Sequence, residues 1–404
     1  MPGVQEQGNP GALRGLRVLE LGSLIAGPFA ARILADLGAD VIKIEPPGKG
    51  DPLREWGNLT EAGSLWFAVQ ARNKRSITID LRRAEGQELV RRLAAGCDVL
   101  VENFRPGALE KWNLGWEQLA ELNPRLVMVR ISGFGQTGPY SQRPGFGNIA
   151  ESMGGLRYVT GFPDRPPVRI GISLADHIAS LYAVVGALAA LQARQESGRG
   201  QVVDVALTES SFSLMQDALP QFAHFGRVQE RAGNQLHFAA PSNAYETADG
   251  AWIAISGNGD SIFLRLMRAI GRQDLAEDPE LRDNQGRLRR VDELDEAIGA
   301  WAARHSAVEV QRALEAAEVP HGPIYSIQDI AEDPQYQARD MILRVPHPFF
   351  GEVAMPGVLP VFSETPGEVR WPGPALGEHS EAVLRDDLGL TEDEIARLRS
   401  EGVI

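Results

Sequence analysis

The sequence predicts an α/β protein: a large domain built on a mostly parallel sheet with both faces covered, and a smaller α/β domain. Two observations carry this. Short apolar, β-rich runs alternate with helical patterns through the first half, and 404 residues exceed what one hydrophobic core usually holds. The runs Leu16–Leu21, Val41–Glu45, Ser76–Asp80, Asp98–Glu102, Leu126–Ile131 and Val202–Ala206 read as buried strands. Between the first two, Pro28 fits the first position of a helix with Phe29, Ile33, Leu34 and Leu37 on one face and Gly38 after its end. Ala84–Ala95 and Ala175–Gln195 supply further helices, the second followed by Gly198 as a stop signal. Strands that alternate with helices form βαβ units, so the large domain is expected to be a Rossmann-like, doubly wound sheet. Ligands of such sheets bind beyond the C-terminal strand ends.

The pattern changes after about Gln221. A strand at Ala251–Ser256, the turn Gly257-Asn258-Gly259-Asp260, and a helix carrying Phe263, Leu266, Met267 and Ile270 come next. Helical patterns at Val291–Arg304 and Ala307–Ala317 and a strand near Pro323–Ile327 complete about 100 residues, enough for a small α/β domain. The end, Leu376–Ile404, is charged and helical.

Charge and composition exclude several function classes. With 40 basic against 54 acidic side chains the formal net charge is −14, which disfavours nucleic acid and anionic membranes as partners. The single cysteine, Cys97, rules out an internal disulfide framework and a cysteine metal cluster. The seven histidines form no metal-binding pair, so no metal is expected. No apolar run reads as membrane-spanning and the first ten residues lack a signal core, so a cytoplasmic protein is expected. A nicotinamide site fails on one residue. Gly22 and Gly27 bracket the first strand–helix turn and Glu45 ends the second strand, but Leu24 stands where the middle glycine must admit a pyrophosphate.

Asp176 stands where a Gly-rich stretch becomes a long apolar helix. A carboxylate at this point meets the positive end of the helix dipole. On this run alone the simpler reading is an N-cap; a reactive carboxylate is the other.

Several stretches, in order, resemble one family, the class III CoA-transferases (the formyl-CoA transferase/carnitine CoA-transferase family). They are Leu16-Arg17-Val18-Leu19-Glu20, Ala26-Gly27-Pro28, Asp36 to Pro46, Arg72-Asn73-Lys74-Arg75-Ser76, Val101-Glu102-Asn103-Phe104-Arg105-Pro106-Gly107, Gly133 to Pro139, Gly198-Arg199-Gly200-Gln201 and Leu376-Gly377-Glu378-His379. The resemblance covers about residues 15 to 404. It implies that Asp176 is the nucleophile, forming an aspartyl mixed anhydride and then an aspartyl-CoA thioester. It also implies that Leu24, Ile25, Ala26, Arg82, Asn103, Phe104, Arg105 and Lys111 line the CoA groove. The cations Arg72, Lys74 and Arg75, clustered before a strand, are added as candidates for the CoA phosphates. Ile25, Phe146, Asn148, Arg169, Gly257, Asn258 and Gly259 are the candidates for the acceptor pocket. No permanently bound cofactor is expected; coenzyme A thioester enters as a substrate.

Related racemases place a proton-abstracting histidine in a Gly-His-Asp-x-Asn segment. The matching run here is Gly145-Phe146-Gly147-Asn148, and phenylalanine accepts no proton. Ile25 and the Gly257–Asp260 turn depart from the formyl-CoA/oxalate branch, which has a glutamine and a four-glycine loop at these places. The approach Pro166 to Gly171 looks more like branches that take CoA from succinyl-CoA and pass it to a dicarboxylate. A carnitine-like or aromatic acid is the alternative acceptor. A distal carboxylate would need a cation, for which Arg54, Arg72, Arg143 and Arg169 are candidates. The resemblance implies an interlocked, ring-like homodimer. With the polar start and the change of pattern after Gln221, this divides the chain into a flexible tail at 1–14, a large domain at 15–221 with 326–404, and a small domain at 222–325.

Overall fold

A computed structural model describes residues 11–57, 59–60 and 63–404. Six parallel strands form the main sheet: β1 Arg17–Glu20, β2 Asp40–Glu45, β3 Lys74–Thr78, β4 Val99–Glu102, β5 Val127–Ser132 and β6 Val202–Ala206. Their spatial order is 3-2-1-4-5-6, the doubly wound arrangement expected from the alternating pattern. The order reverses between β1 and β4, so a crevice opens there beyond their C-terminal ends.

The strand sequences show why both faces are buried. Val18, Val41, Val99, Val127 and Val129 point to one face, Leu19, Ile42, Leu100 and Met128 to the other. The valine face meets helices α1 (Ala26–Asp36) and α4 (Leu174–Ser197). Their contact is lined by alanines, Ala26, Ala30, Ala31 and Ala35 with Ala175, Ala179, Ala183 and Ala187, so the two backbones can approach closely. The leucine face is covered by α2 (Ala84–Ala95) and by the C-terminal segment, through Val383, Leu384, Ile395 and Leu398. Two short helices, α3 (Gly147–Met153) and α5 (Leu207–Phe212), complete the part relevant to the site.

Several elements differ from the sequence reading. Helix α1 begins at Ala26, two residues before Pro28; a proline is tolerated at the third position because the first four helical N–H groups have no partner within the helix. Helix α4 is, by length and composition, apolar enough to cross a bilayer, contrary to the expectation of no such run. It nevertheless supplies Ala175, Ala179, Ala183 and Ala187 to the core against the sheet. Of the tail at 1–14, the first ten residues lie outside the described ones. Gly11 to Arg14 form a turn in which Leu13 N–H donates to Leu37 O (2.9 Å), with the Leu13 side chain packed on the valine-face core.

The chain divides into two compact units. The first runs from the start of the described residues to 156, with 170–219 and 335–404; the second holds 157–169 and 220–334, so 157–169, 220–221 and 326–334, which the sequence reading placed in the large domain, belong to the second unit. The second unit has its own core. Three antiparallel strands, β7 Ser242–Glu246, β8 Trp252–Ser256 and β9 His321–Pro323, pack with α6 Asp260–Ala269, α7 Val291–Ala302 and α8 Ala307–Ala316 around Ile253, Ile255, Phe263, Leu266, Ile298 and Trp301. The strand expected near Pro323–Ile327 ends at Pro323, and Ser326 instead caps a helix at Ile327–Glu332. In the first unit the sequence reading missed a hairpin, β10 Ile342–His347 with β11 Gly351–Pro356.

Candidate active site

The β1–α1 turn, residues Gly22 to Ile25, lies at the switch point and is fastened from two sides. Asn103, just past β4, accepts from Ser23 N–H and donates to Ser23 O, both at 2.9 Å. Gly22 and Gly27 make this possible, since a Cβ at either would stand 3.0–3.2 Å from the Asn103 oxygen. From the other side, Asp51 Oδ1 accepts the N–H groups of Leu24 and Leu53, each at 2.9 Å. Leu24 adopts a left-handed conformation (φ 64°), which a leucine occupies only when its surroundings hold it there.

A buried ion network supports the turn. Lys43 Nζ reaches Glu20 (2.8 Å), Asp51 (2.7 Å) and Gly22 O (2.9 Å), and Lys74 Nζ reaches Glu20 (2.7 Å) and Pro28 O (2.7 Å). Arg54 grips Glu45 with two nitrogens at 2.7 and 2.8 Å, while Ser76 Oγ and Asp51 N–H also donate to Glu45. Burial opposes the charge on Lys43, but Glu20, Asp51 and Glu45 outweigh it and raise its pKa. Burial prevails at Lys74, which falls to about 8 despite Glu20. Asp51 and Glu45 lie below the usual carboxylate range: burial raises both, and the adjoining cations more than offset it.

Asp176 is the third residue of α4, whose N-cap is Ser173, so it is not the cap that the sequence alone favoured. It is half-buried, and its carboxylate lies against the Cα of Gly147, the first residue of α3. Ser180, one turn further along α4, donates to Ala26 O and to Asp176 O, both at 2.7 Å. This hydroxyl ties the start of α4 to the start of α1, and so Asp176 to the turn at Leu24–Ala26. The neighbouring His177 is engaged elsewhere. Its Nδ1 meets Ser173 O at 2.7 Å, its ring packs edge-on against Phe29 at 4.5 Å, and burial lowers its pKa.

The other candidate residues divide clearly. Arg72 and Lys74 are fully buried and do not face any groove, which corrects their assignment to the CoA phosphates. Arg72 is spent on Asp36 (2.7 Å) and on the carbonyls of Pro356 and Gly357, and Lys74 on Glu20 and Pro28 O. Arg75 is corrected as well. It pairs with Asp40 and Asp387 at the start of β2, the end of the sheet away from the crevice. Arg82 is exposed beyond β3, with its guanidinium on Asp80 (2.9 Å). Arg105 and Lys111 are exposed beyond β4; Phe104 packs edge-on against Trp112 at 5.3 Å, and its N–H donates to Glu102. Glu102 is buried, and burial pushes its carboxyl up to about 7 against the opposing pull of Arg130. Ile25 and Ala26 are buried, and Ile25 O accepts from Gln70. Phe146 is exposed at the N-cap of α3, with Asn148 half-buried behind it.

Among the cations considered for a distal carboxylate, Arg54 and Arg72 are committed to Glu45 and Asp36. Arg143 lies over the Tyr140 ring at 3.6 Å, and Arg169 is exposed in the second unit. In that unit the turn at Gly257–Asp260 is pinned by buried Arg287, which donates to Asn258 O (2.9 Å) and Asp260 Oδ1 (2.7 Å). Gly259 is the N-cap of α6, and Asp260 is its first residue. Sequence reasoning missed Asp51, Gly147 and Ser180, which act through contacts distant in the chain; only the family-like order of motifs pointed to their neighbourhood.

The chain matches the family model described as CoA-transferase family III over residues 13–380. It is 52% identical over 402 residues to the succinyl-CoA–D-citramalate CoA-transferase of Chloroflexus aurantiacus, covering 99% of this chain and all of that protein. It is 42% identical to the succinyl-CoA–L-malate CoA-transferase beta subunit of the same organism, over 97% of this chain and 98% of the relative. A crystal structure of a CAIB/BAIF family protein from Brucella suis superposes with a TM-score of 0.83 at 35% identity, covering 94% of this chain and all of that one. The parallel sheet with its crevice at β1 and β4, and this agreement over nearly the whole chain, lead to one assignment: the protein belongs to CoA-transferase family III and moves CoA between an acyl-CoA and an acid.

Proposed function

We propose that this enzyme takes CoA from succinyl-CoA and gives it to a C4–C5 dicarboxylic acid in the cytoplasm, with Asp176 as the nucleophile. The observation that carries this reading is the position of Asp176, in the first turn of α4 and tied through Ser180 to the turn at the crevice. The chemistry follows in balanced steps. Asp176 attacks the thioester carbonyl, the C–S bond breaks, and CoA leaves as thiolate with the bonding electrons, giving an aspartyl–succinyl anhydride. The thiolate attacks the aspartyl carbonyl and expels succinate, leaving an aspartyl-CoA thioester. The acceptor carboxylate attacks that thioester; the released thiolate then takes the acceptor acyl group and frees Asp176. No net proton is consumed, so these steps need no general base.

Two of the relatives, one for citramalate and one for malate, support a hydroxylated dicarboxylate as acceptor. A second carboxylate in a closed site needs a cation, and with Arg54 and Arg72 committed elsewhere, Arg143 and Arg169 are the proposed partners. Leu24–Ala26, Arg82, Asn103–Arg105 and Lys111 form the proposed CoA groove. Ile25, Phe146, Asn148 and the Gly257–Gly259 turn are the proposed acceptor determinants. Exposed Leu181, Tyr182 and Val185 on α4 support burial of this face in a homodimer, for which a stable folded monomer in light scattering would be the contrary result.

The test is Asp176→Ala. Transfer should fall by about 10³-fold or more while binding of succinyl-CoA and the melting temperature stay near wild type. Hydroxylamine added after succinyl-CoA should label Asp176 in the parent enzyme. Appreciable turnover by the alanine variant would remove Asp176 from the mechanism. A panel of acids incubated with succinyl-CoA, read by mass, identifies the acceptor.

A further inference from the structure

Gly147 is the first residue of α3, and its backbone is not left-handed, so its conformation does not call for a glycine. Its surroundings do. A Cβ built at this position would meet Asp176: the three nearest atoms are Oδ2, closer than any real contact, Cγ at 3.0 Å and Oδ1 at 3.6 Å. All three belong to one carboxyl group.

Gly154 and Gly186, which also stand close to a neighbour, are of a different kind. Gly154 abuts Ser211 Cβ and backbone oxygens, and Gly186 abuts the Val203 side chain, so each makes room for packing. At Gly147 the space a methyl group would fill is taken by the reactive side chain.

We propose that Gly147 is a positioning residue that sets the resting place of the nucleophile, by letting the Asp176 carboxylate lie directly on the helix backbone. The inference rests on Asp176 being the nucleophile. Its physical content is a rotamer. Any side chain at 147 drives the carboxylate off this place, and Asp176 can respond by turning about its own side-chain bonds. The clash is therefore relieved without moving the backbone, and the loss falls on reactivity while the fold is kept. A displacement near 1 Å in an attacking atom lowers a rate by about 10²-fold.

The experiment compares Gly147→Ala, Asp176→Ala and the double variant. The expected result for Gly147→Ala is a fall in kcat of about 10²-fold, with KM for succinyl-CoA and the melting temperature unchanged and with slower hydroxylamine trapping at Asp176. Adding Gly147→Ala to Asp176→Ala should change neither melting nor succinyl-CoA binding, because the only clashing group is gone. Wild-type kcat in Gly147→Ala would overturn the proposal. So would a drop in melting temperature that persists in the double variant, since the new methyl group would then be striking something other than the carboxylate. If Asp176→Ala itself keeps its turnover, the nucleophile assignment fails instead, and the two failures are distinct.

Discussion

Two strand-to-helix turns, one in each unit, are among the residues the family resemblance assigns to substrate binding, and different groups hold them. The Gly22–Ile25 turn is held through both kinds of backbone group: the N–H groups of Ser23 and Leu24 donate to Asn103 and Asp51, and the carbonyls of Gly22, Ser23 and Ile25 accept from Lys43, Asn103 and Gln70. The Gly257–Gly259 turn is held chiefly by a carbonyl, Asn258 O, which accepts from Arg287. The glycines differ too. Gly22 and Gly27 let Asn103 come close, whereas Gly257 makes room for Leu266, whose Cδ2 would lie 2.5 Å from a Cβ. The first turn thus depends in part on Asp51 and, behind it, Glu45, carboxylates that the adjoining cations hold below their ordinary pKa. The second depends on the buried Arg287 guanidinium. Glycines in a loop therefore do not by themselves signal a mobile lid; what fastens the loop decides.

The largest expected effect breaks the first turn. Asp51→Ala removes the acceptor of two backbone N–H groups and one of the carboxylates facing buried Lys43. Breaking a buried ion pair from one side costs about 3–5 kcal/mol. The left-handed Leu24 would also lose the contact that holds it. Denaturation should show that loss, and KM for succinyl-CoA should rise in whatever folds. The equivalent change in the second unit, Arg287→Met, should lower stability but leave KM for succinyl-CoA alone. Equal effects of the two variants on KM would erase the contrast between the turns.

Acid should separate the turns without mutation. Asp51 and Glu45 both have folded pKa values below their ordinary ones, because the cations beside them outweigh burial. As pH falls, the unfolded chain binds these protons before the folded one does. The stability they contribute is therefore complete above about pH 4.5 and is lost as pH falls through the lower folded values. Amide exchange, corrected for its intrinsic pH dependence, should accelerate at Leu24 and Leu53 as pH falls below about 4.5. Gly257, whose N–H donates to Pro241 O, should keep its protection over the same range. Parallel loss at both places would mean that acid acts globally and not through the Asp51 and Glu45 carboxylates.

The sheet was legible because its strands are buried on both faces. Runs such as Val99-Leu100-Val101 and Val127-Met128-Val129 fit no amphipathic helix, and each gives alternate residues to opposite cores. Asp176 was legible as a helix-start acid, but the role proposed for it rests on the family-like order of the motifs around it. What the sequence could not reveal is pairing at long range. Arg72 and Lys74 looked like phosphate ligands because nothing in the chain announces that Asp36 and Glu20 will neutralise them inside the protein. Gly147 was given no role of its own for the same reason, since the carboxylate it makes room for lies 29 residues away in the numbering. Secondary structure is set by neighbours in sequence; a site is set by neighbours in space.

The smallest expected effect on stability, and the sharpest test of the second turn, is Gly259→Ala. The backbone there is extended (φ −78°), so alanine fits without strain, and its Cβ would meet only the flexible end of Ile262 at 3.3 Å. As N-cap of α6, alanine is poorer than glycine, and the cost should be below about 1 kcal/mol. A change in kinetics larger than this would then report function and not damage. If the turn shapes the acceptor pocket, as the family resemblance implies, transfer to the acceptor should slow and hydrolysis of the acyl-CoA should rise, with succinyl-CoA affinity unchanged. Release of CoA thiol without a new thioester measures that leak directly. Unaltered partition between transfer and hydrolysis would leave the turn a fixed part of its unit, with Arg287 and Leu266 sufficient to explain every feature of its sequence.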